Sequence, residues 1–140
     1  MVNKALWNQL TTELNAKGVT LVAVSKTKPV EDIRSLYELG QRDFGENYVQ
    51  ELLEKVPQLP SDIRWHFIGH LQTNKVKLIA PFVHLIHGVD SFKLLLEINK
   101  QAAKNQRVID ALLQMHIATE ETKFGLDITD ITDFMGYYEA

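Results

Sequence analysis

Apolar residues recur at helical spacing in Leu6, Leu10 and Leu14, and the pattern stops at Lys17-Gly18, where a glycine can take the left-handed conformation that ends helices. An opening helix is predicted. Val19 to Val24 is then a continuous apolar, β-branched run without alternation, the pattern of a strand buried on both faces of a parallel sheet, and it ends at Ser25-Lys26. Pro29 offers its fixed φ at a helix start, and Ile33, Leu36, Tyr37 and Leu39 form one stripe closing at Gly40. The unit repeats with Asp43-Phe44 as a very short strand, Gly45-Glu46-Asn47 as the junction, and a helix carrying Val49, Leu52, Leu53 and Val56 up to Pro57. Ile63 to Ile68 reads as a third strand, followed by a helix capped at Thr73 or Asn74 and ended by Pro81. Val83 to Val89 is a fourth strand, and Asp90 or Ser91 caps the helix of Leu94, Leu95, Ile98 and Ala102. A fifth strand is expected over Val108 to Ile117, its start blurred by Asp110, and a last helix over Asp130 to Ala140.

Five strand-then-helix units in succession place the chain in the α/β class with a parallel sheet, because parallel strands need crossovers and helices supply them. An eight-unit barrel takes about 200 residues or more. Pattern and length alone therefore favour a small open, doubly wound sheet. Neither a linker nor a low-complexity tract divides the chain, so residues 1–140 read as one domain.

Composition narrows the function classes. The 140 residues are 45% hydrophobic and 24% charged, enough to bury a core. A net charge of −3, with lysines spread among acids, provides no field to gather nucleic acid or anionic lipid. The absence of cysteine removes disulfides and thiolate metal ligands and is compatible with a reducing compartment, so a cytoplasmic location is expected. Neither a signal-peptide pattern nor a membrane-length apolar run is seen in the sequence.

In parallel α/β folds ligands sit beyond the carboxyl ends of the strands, which directs attention to Ser25-Lys26, Gly45 to Asn47, Ile68 to His70, Gly88 to Asp90 and Ala118-Thr119. Lys26 follows an uncharged run. An amine desolvated there becomes a neutral nucleophile for a carbonyl; the ordinary reading is a lysine snorkelling to water, and position alone favours the latter about four to one. His66 alternates with Trp65 and Phe67 and so faces the other way; a packing histidine is the commoner outcome. His70, His84, His87 and His116 lack the i, i+4 spacing of zinc-binding helices, and His84 and His87, three apart on one strand, are expected on opposite faces, so no metal site is expected. No phosphate-binding glycine motif or serine elbow occurs; Glu120-Glu121 reads as a solvated loop and Tyr137-Tyr138 as a helix end.

Taken in order, Ala23 to Pro29 (AVSKTKP), Phe44 to Glu51 (FGENYVQE), Trp65 to Lys75 (WHFIGHLQTNK), His87 to Ser91 (HGVDS) and Glu121 to Gly125 (ETKFG) resemble the pyridoxal phosphate homeostasis family. The resemblance implies a (β/α)8 barrel of the TIM type, like the N-terminal domain of alanine racemase, of which this chain holds about the first five β/α units. It implies pyridoxal 5′-phosphate as cofactor, bound as an imine on Lys26, with Asn47 near the ring oxygen, His66 on the pocket floor and Val24 beside the ring. Ile68 to Gln72 would shape the mouth. His70, where a small residue is common, and Gly88, in place of a frequent serine, depart from the family pattern. Relative to the family the chain is truncated, lacking the later loops that carry phosphate ligands in such barrels, so weakened cofactor binding is expected. The implied role is buffering or delivering the cofactor, with pyridoxal-phosphate-dependent apoenzymes as recipients and no catalytic residue assigned. Two other readings stand beside it: an amino-acid racemase, which needs a base on each face of the substrate carbon, and a non-functional partial barrel or interaction fragment.

Overall fold

The computed structural model describes residues 2–115. His116, the 119–125 segment, the end of the expected fifth strand and the 130–140 helix lie outside the described residues. The elements in chain order are α1 (Lys4–Ala16), β1 (Ala23–Val24), α2 (Val30–Leu39), β2 (Asp43–Glu46), α3 (Val49–Lys55), β3 (Arg64–Phe67), α4 (Val76–Ile79), β4 (Val83–Val89), α5 (Phe92–Lys104) and β5 (Asp110–Leu113).

All four strand pairings are parallel and the strand order is β1-β2-β3-β4-β5. This order corrects the doubly wound sheet favoured by pattern and length. A doubly wound sheet reverses its strand order at a switch point, whereas here every crossover advances by one strand, the winding of a barrel wall. Helix and strand patterning report class, and the direction in which successive crossovers advance lies outside what they encode.

One face of the sheet carries the core. Phe44, Trp65, Phe67 and Ile86 pack with Ile33 of α2, Leu52 of α3, Val76 and Ile79 of α4, and Leu94 and Ile98 of α5. The Phe44 and Trp65 rings lie 6.0 Å apart in a tilted pair. Burying a side chain of this size contributes about 1.5–3 kcal/mol, so this layer supplies most of the driving force. The α1 helix buries no residue. It is tied down by Trp7, whose indole N–H donates to Gln41 Oε1 at 2.9 Å, while Gln41 Nε2 donates to the carbonyls of Leu21 and Asp43, each at 2.7 Å.

Gly40 ends α2 at φ 119°, Ser91 caps α5 by accepting from the Leu94 N–H at 3.1 Å, and Asn3 caps α1 likewise. Three expectations need correction. The first strand is only Ala23–Val24, with Ala23 packed against the core and Val24, on the opposite face, 54% exposed. Gly45 and Glu46 belong to β2 rather than to the junction after it. The segment after β3 begins as a 3-10 turn over Thr73–Lys75, so Thr73 and Asn74 are inside it and no side chain caps α4.

Candidate functional site

Register places the carboxyl ends of the strands side by side. Val24 pairs with Gly45, and Gly45 with His66, so Val24 and His66 share one row across β1 to β3. A Cβ built on Gly45 would lie 3.2 Å from Ile68 and 3.3 Å from Val22, so those two side chains close over the glycine. Ser25 is buried on the helix side, and Lys26 is exposed. The expected desolvation of Lys26 is therefore not supplied by the described residues.

Asn47 follows β2 by one residue and is held by a close approach. A Cβ on Gly69 would fall 2.3 Å from the Asn47 carbonyl oxygen and 2.6 Å from Asn47 Oδ1. Only a residue without a side chain lets the loop after β3 press this near. An open cleft of about 300 Å³ beside Asn47 is lined also by Phe67, His70, Gln72 and Lys75, but not by Lys26. His70, one of the two departures from the family pattern, brings Nδ1 within 3.3 Å of Asp90 Oδ2, linking the ends of β3 and β4.

His66 is 4% exposed and fully engaged. Its Nε2 lies 2.9 Å from Asp43 Oδ1 and its Nδ1 lies 2.9 Å from His87 Nε2. A carboxylate can only accept, so His66 Nε2 carries the hydrogen, and in the neutral ring Nδ1 accepts from His87 Nε2–H. Arg64 completes the group, donating to Asp43 Oδ1 at 2.9 Å and to Oδ2 at 2.8 Å. Burial pushes the Asp43 carboxyl up, but the hydrogen bonds from Arg64 and His66 outweigh it and hold the group below its usual range. Burial, and then the neighbouring His66, lower His87.

The expectation that His84 and His87 face opposite ways is overturned. Their ring centroids lie 5.4 and 5.1 Å from that of His66. The register shifts between Trp65 and His66 against β4, and again between Ile86 and Val89 against β5, each time with one extra residue on β4. Each irregularity resets the in-out alternation. Asp43, His66 and His84 thereby offer ligand atoms within 4.8 Å of one another, a grouping that chain spacing did not reveal. Arg64 and His66 already bond to that carboxylate, so the grouping is held by hydrogen bonds among its own members.

Behind Lys26 lies a second polar group that sequence reasoning missed. Lys55 Nζ is 2.8 Å from Glu46 Oε2, 2.8 Å from the Ser25 carbonyl oxygen and 2.7 Å from Glu51 Oε2. The Ser25 hydroxyl donates to Glu46 Oε2. The Glu51-Lys55 spacing of four on one helix was the available signal, but nothing in the sequence showed that this face meets the sheet.

The chain is similar to the pyridoxal phosphate homeostasis proteins of Aquifex aeolicus, 45% identical over 118 residues covering 84% of this chain and 52% of that relative, and of Schizosaccharomyces pombe, 41% identical over 121 residues covering 85% and 51%. It spans about half the length of these curated relatives. Among solved structures it is similar to PipY of Synechococcus elongatus without PLP, with a TM-score of 0.87 and 34% identity over 96% of this chain and 63% of that one. Similarity to PipY with PLP bound has a TM-score of 0.83 and 32% identity over the same shares. The family model described as alanine racemase, N-terminal domain, matches residues 4–140, and the chain belongs to that family.

Proposed function

We propose that residues 1–140 belong to a single pyridoxal 5′-phosphate-binding barrel domain that holds the cofactor through Lys26 Nζ and serves cofactor homeostasis in the cytoplasm, with pyridoxal-phosphate-dependent apoenzymes as recipients. The observation that carries the reading is the position of Lys26: an exposed amine two residues beyond the end of β1, on a chain whose structural relative PipY is known with PLP bound. The residues present fit the group. Val24 presents exposed apolar surface in the row below, and Asn47, seated against Gly69, offers an amide that can donate to a ring oxygen. His66, held by Asp43 and His87, contributes a fixed polar floor. The cofactor supplies an aldehyde, which condenses with a primary amine to a C=N link with loss of water. No helix among the described residues is long and apolar enough to cross a membrane.

Incubation with pyridoxal 5′-phosphate, borohydride reduction and peptide mapping test the assignment. The adduct is expected on Lys26 and is expected to vanish in Lys26→Ala. An adduct spread evenly over the exposed lysines would sink it. Conversion of L- to D-alanine that is lost in Lys26→Ala would favour a racemase instead.

A further inference from the structure

We infer that Glu51 and Lys55 are positioning residues for Lys26, clamping from the helix side both peptide groups that bracket its Cα; this rests on Lys26 as the cofactor lysine. The Ser25 carbonyl belongs to the peptide before Lys26 and accepts from Lys55 Nζ at 2.8 Å. The Thr27 N–H belongs to the peptide after it and donates to Glu51 Oε2 at 2.7 Å. That same oxygen is 2.7 Å from Lys55 Nζ, so a single ion pair holds both peptides. Glu46 anchors the assembly from β2, accepting from Lys55 at 2.8 Å and from the Ser25 hydroxyl.

Three features separate this group from ordinary packing. Lys55 and Glu46 are buried between α3 and the sheet, 6% and 0% exposed at the side chain, where apolar residues of similar volume would be as stabilising or more so. Glu46 Oε1 has no hydrogen-bond partner among the described residues, a cost that packing alone would not maintain. Thr27, a β-branched residue, is held at φ 63°, a left-handed conformation that needs outside support, and the Glu51 bond to its N–H provides it. The ammonium of Lys55 has donors for three partners and makes three contacts, so this lysine is spent as a brace and Lys26 alone of the two is left to react.

A clamp of this kind fixes the Cα–Cβ direction of Lys26 toward the open face before any ligand arrives, which shortens the search of a flexible side chain for a reactive pose. Glu51 is the position to test, since Lys55→Met would strip a buried carboxylate of its partner and risk unfolding. Glu51→Ala removes the acceptor for Thr27, and Glu51→Gln retains one. Two readouts are needed. Amide hydrogen exchange at Thr27, measured without cofactor, is expected to accelerate about tenfold or more in Glu51→Ala and to recover in Glu51→Gln. Borohydride-trapped labelling by pyridoxal 5′-phosphate at Lys26, relative to Lys28 in the same sample, is expected to slow by about tenfold in Glu51→Ala and recover in the same way. Unchanged exchange at Thr27, or an unchanged Lys26-to-Lys28 ratio in Glu51→Ala when the wild type labels Lys26 selectively, would overturn the inference. If the wild type shows no selectivity for Lys26, the cofactor assignment fails, and loss of Thr27 protection would still establish the clamp on the backbone alone.

Discussion

Gly69 controls how closely two strand-end loops meet. With the Asn47 carbonyl oxygen only 2.3 Å from where a Cβ would stand, Gly69→Ala must move backbone rather than a flexible side-chain tip. Forcing a methyl group into such a contact costs about 1–3 kcal/mol. Urea unfolding should register that loss, and the displaced Asn47 should weaken pyridoxal phosphate retention in a dialysis assay. The Asp43 cluster behaves differently, because its groups support one another. Asp43→Asn keeps the shape but removes the charge that Arg64 and His66 face; the expected loss is about 1–3 kcal/mol in urea unfolding at pH 7, the cost of charge-assisted hydrogen bonds partly unmade. Equal stability of the variant would mean that Arg64, half-exposed at its side chain, finds water as good a partner.

At the scale of elements, stability is concentrated in the layer between the sheet and α2 to α5. Ile86 is fully buried in the centre of β4, and Ile86→Ala is expected to cost about 2–5 kcal/mol through lost burial and an unfilled cavity. Against a total of about 5–15 kcal/mol for a typical domain, this is a large share. Ser91→Ala is a milder test. Losing the cap on α5 should cost about 1 kcal/mol, seen as a small downward shift of the urea midpoint with unchanged slope. How well each element was legible followed from how local its cause was. The Ser91 cap and the Gly40 stop depend on a few neighbouring residues and were readable. The length of β1 depends on what lies across the sheet, and the apolar, β-branched run from Val19 to Val24 said nothing of that.

For the whole molecule, the shifts of Asp43 and His87 act in one direction. Both groups bind protons more weakly when folded than when unfolded, so each contributes stability that is present at higher pH and lost on acidification. For His87 the loss begins as pH falls below its ordinary 6.5, and for Asp43 below its ordinary 3.8. Urea midpoints should therefore fall in two stages between pH 7.5 and 3. Replacing His87 by Gln should flatten the first stage and leave the second; a midpoint that is level from pH 7.5 to 5 in the unaltered chain would contradict this account.

What the sequence determined by itself is the α/β class, the sequence of strand and helix units, and the candidate lysine, since periodicity, caps and ordered motifs are properties of neighbouring residues. The order β1 to β5 without reversal, the convergence of His84 and His87 on His66, and the ion pair behind Lys26 were decided only by tertiary structure. Each depends on register between segments some twenty to thirty residues apart in the chain, and a one-residue irregularity in β4 is enough to change which side chains meet. Lys26 shows both levels at once. Its place after the first strand follows from the chain, and the fixed direction of its backbone follows from Glu51 and Lys55, which only the packing of α3 on the sheet brings to it.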